Sequence, residues 1–199
     1  MKYTLVVAIL ALFVIGCGGG GHQVTRLDPE GTTDLSGKWN ETDARLVAEE
    51  MISDCLARPW LVDFVKKNGE KPVVTVGTIR NATNEHINTE IFTKDFEREL
   101  INSGSVRFVG SSDQRYEIRE ERQDQAEFAS AETRKKLREE TGADFILLGS
   151  VKTITDEIEG VRTTFYSTDL ELIHVESNEK MWIGNKKIKK GITQSKHKW

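Results

Sequence analysis

The stretch PVVTVGTI, residues 72–79, sets the architecture of this chain. Its residues are apolar or β-branched at consecutive positions, so the strand it predicts has to be covered on both faces, as a central strand is. A second run of this kind, GADFILLGSV, residues 142–151, predicts another central strand over Phe145 to Leu148. Helical patterns surround them. Ala44, Val47, Ala48, Met51, Ile52, Cys55 and Leu56 recur at helical spacing behind Asn40 or Thr42 as a cap, and Arg58-Pro59 stops them. Leu61 to Lys67 predicts a shorter helix ending at Asn68-Gly69. Phe92, Phe96 and Leu100 form a stripe between an Asn88 or Thr89 cap and the Gly104 stop.

The rest of the folded region follows from these. VRFVG, residues 106–110, predicts a short strand, and the polar segment from Ser111 to Thr141 a solvated helix or pair of helices, supported by Glu132 ahead of Lys136 and ended at Gly142. From Val161 to Val175 the chain is strand-rich, and Ser177-Asn178-Glu179 turns it into a last strand, Lys180 to Ile192. Strands alternate with helices first and a hairpin closes the sequence. That order predicts an α/β domain, a helix-flanked mixed β-sheet with an antiparallel edge, and no internal repeat or second domain boundary.

Ahead of the domain, Met1-Lys2 is a short basic start and Tyr3 to Ile15 an apolar run of about a dozen residues, well short of the roughly 20 that span a bilayer. This is the pattern of a signal peptide. Its end, Val14-Ile15-Gly16-Cys17, resembles a bacterial lipobox, which makes Cys17 the lipidated residue and new N-terminus. Several acyl chains matter because one chain alone gives only marginal membrane binding. Residues 17–36, glycine-rich, polar and aperiodic, read as a flexible linker of roughly 23 Å r.m.s. length and about 60 Å when taut. The expected organisation is residues 1–16 signal peptide, 17–36 lipidated linker and 37–199 a single domain. A formal charge of −4 over 199 residues carries no nucleic-acid footprint.

Catalytic chemistry finds little support. His22, His86, His174 and His197 lie far apart without metal-ligand spacing, and NEHIN around His86 is not an HExxH site. There is no Gly-x-Ser-x-Gly elbow. The glycines at 18–21 lead into no phosphate loop, since Gly37-Lys38 runs straight into Trp39. Glu85 beside His86 reads as a loop-structuring cluster rather than an acid/base pair. Cys55, on the apolar side of a helix and without a partner once Cys17 is acylated, reads as a buried, inert thiol. No metal, cofactor or catalytic residue is expected.

Binding surfaces fit better. The loop RNATNEH, residues 80–86, follows a central strand at its carboxyl end, where α/β sheets present partner contacts, and offers Arg80, Asn81, Thr83 and His86. Arg115, Arg119 and Arg122 offer a second patch. The C-terminal NKKIKKGITQSKHKW, residues 185–199, places lysines where they protect an exposed strand edge.

The blocks SGKWNETDARLVAEEM, RPWLVDF, KPVVTVGTIRNATNEHINTEIFTKDFERELINSG, ETGADFILLGSV and LELIHVESNEKMWIGNKKIKK, in this order behind a lipobox, resemble the LpoB family of penicillin-binding-protein activators from about Gly37 to Lys190. The resemblance implies an outer-membrane lipoprotein whose domain is similar to the N-terminal domain of TolB. It further implies binding to a bifunctional peptidoglycan synthase, stimulated by protein contact without catalytic residues or cofactor. One departure stands out: the best-known member has a long proline-rich spacer, and the linker here is short and nearly proline-free. Gly18 after the cysteine, rather than Asp, favours outer-membrane sorting. The alternative is a subunit of an outer-membrane export assembly, because the curli-secretion lipoprotein CsgG has a similar α/β domain. A pore needs spare membrane-crossing strands of about 9 to 11 residues, and the late strands here are needed for the sheet.

Overall fold

Asn40 starts the first helix by a reciprocal exchange: its side chain accepts from the Asp43 N–H at 3.1 Å, and the Asp43 carboxylate accepts from the Asn40 N–H at 3.0 Å. In the computed structural model, which describes residues 25–28, 31–130, 132–133 and 140–193, this helix is α1, Glu41–Leu56. Pro59 opens α2, Pro59–Asn68, at the position where its missing N–H costs nothing. Gly69 closes α2 with φ 75°, a left-handed cap that glycine adopts without strain. Then come β1 (Val73–Ala82), α3 (Thr89–Asn102), β2 (Arg107–Phe108), α4 (Ser112–Phe128), β3 (Phe145–Ile158), β4 (Val161–His174) and β5 (Lys180–Thr193). Asn88 caps α3 by accepting from the Glu90 N–H at 3.0 Å.

The chain divides into two compact units, Met1–Gly31 and Thr32–Trp199. In the first, the described residues include a turn in which the Gly31 N–H donates to Asp28 O at 3.0 Å. The expected signal peptide and Cys17 lie outside the described residues.

The second unit is a helix-flanked mixed α/β sheet. Its strand order is β2-β1-β3-β4-β5, with β2, β1 and β3 parallel and β3, β4 and β5 successively antiparallel. Asp144 ties the two central strands at their starts, its N–H donating to Val73 O at 2.8 Å and its carboxylate accepting from the Val73 N–H at 2.7 Å. α1 packs on α3 and β5, and α3 packs on β1. Between them lies the core: Val47, Ala48 and Ile52 of α1, Phe92, Phe96 and Leu100 of α3, and Val74, Val76, Leu147, Val151, Leu170 and Leu172 of the sheet. On β5 the Trp182 ring lies over Gly184, where any Cβ would strike it. Its Nε1–H donates to Asp54 of α1 at 2.9 Å.

β1 runs to Ala82, three residues past the expected Ile79, and the register shifts between Val76 and Ile79. Beyond the shift, Arg80, Asn81 and Ala82 still pair with Ser150, Val151 and Lys152 of β3, so ladder pairing and not apolar pattern carries the strand past Ile79. Helix α4 has no buried residue. It is held by a Ser111–Gln114 capping box and, on its surface, by Arg119 and Arg122 against Glu140. Lys136, expected to pair with Glu132, lies outside the described residues.

Cys55 is buried, as its place on α1 predicts. Burial pushes its thiol up to about 12, so the folded chain keeps a proton that the unfolded chain loses near pH 8.5 to 9. The resulting stability is intact below that range and falls as pH rises towards 12. Tyr166 and Lys190 are also raised, from ordinary values near 10. Replacing Cys55→Ala should flatten the decline between about pH 8.5 and 10 and leave the loss above pH 10, as read from urea midpoints across that range.

Candidate functional site

The loop after β1 is built by its own polar side chains. Asn81 Oδ1 accepts from the Thr83 N–H at 3.0 Å and from the Thr83 hydroxyl at 2.7 Å, while Asn81 Nδ2 donates to Glu85 O at 2.8 Å. The Thr83 oxygen in turn accepts from the Glu85 N–H at 3.0 Å. Such Asx-type turns fix a backbone with no secondary-structure partner.

Glu85 joins that loop to the rest of the domain. Its Oε1 accepts from the Tyr166 hydroxyl of β4 at 2.7 Å and its Oε2 from the Trp39 N–H at 3.3 Å. Tyr166 is fully buried, and Trp39 is tilted on it at 5.5 Å between ring centres and edge-on to Phe92 at 5.6 Å. Burial and then the Glu85 carboxylate raise the Tyr166 hydroxyl well above the ordinary tyrosine range, so it remains a donor.

Beside this joint lies a half-buried cation. Lys190 of β5 donates to Asp34 and Asp43, each at 2.6 Å, and to Lys38 O at 3.1 Å. Burial pulls its ammonium down, but the two carboxylates outweigh that and leave it above the ordinary lysine range. The Asn40 side chain donates to Thr33 O at 3.0 Å and Asp34 Oδ1 at 2.8 Å, completing the network that fastens residues 33–43 to β5.

Between the loop and the sheet opens a cleft of about 460 Å3, lined by Lys38, Trp39, Asn84, Glu85, His86, Ile87, Thr153, Thr155 and Arg162. Of the partner-contact residues expected from the sequence, His86 lines it, beside Glu85 of the expected loop-structuring cluster. Asn81 and Thr83 build its rim. Arg80 faces a different depression, with Lys152 and Asp169. Arg115 donates to Gly110 O at 3.0 Å, and Arg119 grips Glu140 through Nε at 2.8 Å and Nη2 at 2.7 Å, with Arg122 at 3.4 Å. Those arginines belong to the α4 surface and are already engaged.

Sequence reasoning missed Lys38, Trp39, Tyr166, Arg162 and Lys190. Tyr166 carried a usable signal: it alternates with Leu170 and Leu172 on the inward face of β4, and a buried tyrosine hydroxyl calls for a partner. On β5, the edge strand, Lys190 is half-buried and paired with Asp34 and Asp43, Lys186 pairs with Glu50 and Lys180 with Glu171. Lys187 and Lys189 make no ion pair among the described residues, so they are the ones left to guard the edge. Among the described residues no three His, Cys, Asp or Glu side chains gather to hold a metal ion, and no helix is long and apolar enough to cross a membrane.

The domain is thus a helix-flanked mixed sheet with a hydrogen-bonded polar loop beside a cleft. The chain belongs to the LpoB family: the family model described as peptidoglycan-synthase activator LpoB matches residues 43–188, which include the loop, most of the cleft and Tyr166. A search of curated proteins finds no match. Among solved structures the chain is similar to the LpoB C-terminal domain from Escherichia coli, with 20% identity over 76% of this chain and 99% of that one and a TM-score of 0.41. It is similar also to the solution structure of E. coli LpoB (17% identity, 91% and 85% of the two chains, TM-score 0.42). The LpoB C-terminal domain from Salmonella enterica gives 18% identity, 68% and 94% coverage and a TM-score of 0.35.

Replacing Tyr166→Phe removes a buried hydrogen bond to a charged acceptor. It should lower stability by about 1.5–3 kcal/mol, measured by urea unfolding.

Proposed function

We propose that this chain is a lipid-anchored accessory protein, held through Cys17 at the periplasmic face of the outer membrane, that binds a bifunctional penicillin-binding protein and activates it by protein contact. The observation that carries the reading is the match over residues 43–188 to a family of peptidoglycan-synthase activators. The geometry is in keeping with it. The loop at residues 81–87 is held by Asn81, Thr83 and Tyr166, so little ordering remains to be done on binding. In this reading the protein supplies no catalytic group, metal or cofactor; the chemistry belongs to the synthase.

The short glycine-rich tether bears on where the partner is met. The expected linker, residues 17–36, is shortened by the fastening of Thr33 and Asp34 to Asn40 and Lys190, so about 16 residues remain as tether; with roughly 55 Å of reach when taut, the domain engages the part of an inner-membrane synthase that projects outward. A spacer inserted into residues 18–24 should therefore leave binding unchanged in detergent while altering it in the cell envelope.

The direct test is to immobilise the full chain and capture partners from detergent-solubilised envelope of the source cell, identified by mass spectrometry. Recovery of a bifunctional penicillin-binding protein is the expected result. Recovery of export components only, or only of further copies of the chain, contradicts it.

A further inference from the structure

Pairing of β1 with β3 ends at Ala82 opposite Lys152, whereas β3 and β4 stay paired out to Ile158 and Val161. The hairpin thus extends beyond β1, and there Thr153, Thr155 and Arg162 line the cleft with Lys38, Glu85 and His86. Arg162 is incompletely satisfied. Its Nε is buried and has no hydrogen-bond partner among the described residues. Glu157, directly opposite on β3, makes no ion pair with it among the described residues. Two residues along β4, Thr164 is 2% exposed and its hydroxyl also lacks a partner among the described residues. Buried donors without acceptors are uncommon in folded proteins and point to a missing acceptor.

The charges around Arg162 narrow what that acceptor is. Among the lining residues Lys38 and Arg162 face Glu85, both of whose oxygens already accept, from Tyr166 and Trp39, while Glu157 stands opposite Arg162 on β3 without pairing with it among the described residues. The lining cations outnumber the lining carboxylate, which suits an anionic group. A doubly charged phosphate meets the Glu85 carboxylate. A guanidinium offers a planar fork that matches a carboxylate, with hydroxyls beside it for the remaining lone pairs. The volume lies within the roughly 300–1,000 Å3 of small-ligand clefts, enough for one side chain.

We propose that this cleft binds a single carboxylate, that of an aspartate or glutamate side chain presented by the partner protein. The partner's identity rests on the reading above; the carboxylate chemistry does not.

Two measurements on the full chain in detergent micelles test this. The first titrates N-acetylglutamate amide, with N-acetylglutamine amide and inorganic phosphate as controls, following the Arg162 Nε–H and the backbone amides of His86 and Thr155 by NMR. The glutamate compound should shift these signals saturably and the glutamine compound should not. R162Q should remove the response, and R162K, which keeps the charge but not the fork, should weaken it. The second compares affinity for the captured synthase: R162Q should lose at least tenfold with its thermal midpoint unchanged. Equal response to the glutamine compound, tighter binding of phosphate, or no effect of R162Q on folded protein overturns the proposal. If the wild-type chain binds no synthase, the preceding reading fails and the glutamate titration alone decides this one.

Discussion

The hydrogen bond from Tyr166 to Glu85 joins positions 81 residues apart, and the end of the domain that carries the cleft is organised around it. Through Glu85 it reaches the Trp39 N–H, and Trp39 in turn packs on Tyr166 and on Phe92 of α3. One carboxylate thus links β4, the loop after β1 and the segment leading into α1. A buried phenol and a carboxylate are each costly to leave unpaired, so loss of either partner affects both sides of the joint. The cleft exists because those three pieces meet there.

Lys190 plays the corresponding part at the edge of the sheet. A lone ammonium buried on a strand is strongly unfavourable, whereas here two carboxylates and a carbonyl receive it. Asp43 serves twice, accepting from Lys190 and completing the cap of α1. The start of the first helix and the last strand are therefore fixed by the same side chain. The entry segment, residues 33–40, is held against the domain at Asp34 and Asn40, which puts Lys38 and Trp39 at the cleft.

Much of the fold was legible because it is written locally. Phe92, Phe96 and Leu100 show their helical period, Arg58-Pro59 and Gly104 show their stops, and Val73 to Val76 show a strand buried on both faces. The candidate site was legible only in part. The loop at residues 80–86 was found from its place after a central strand, and His86 does line the cleft. Arg162 and Lys38 were not found, because nothing near either in sequence reveals which distant residues it faces. Lys190 was grouped with the edge lysines because five lysines on one strand look alike until α1 supplies Asp43. Arg115, Arg119 and Arg122 were readable as charge, but their engagement by Gly110 and Glu140 follows from the path of the chain after α4.

The chain belongs to the family of peptidoglycan-synthase activators, and the proposed account places the contact at the end of the sheet that carries the loop and the cleft. The most direct measurement is glycan polymerisation by the purified bifunctional synthase of the source organism, reconstituted in proteoliposomes, with and without the full chain. The rate should rise with added chain and saturate, and the rise should be lost when Glu85→Ala removes the carboxylate joint from an otherwise folded protein. An unchanged rate in the presence of bound wild-type chain, or equal stimulation by the Glu85→Ala protein, contradicts activation through this surface.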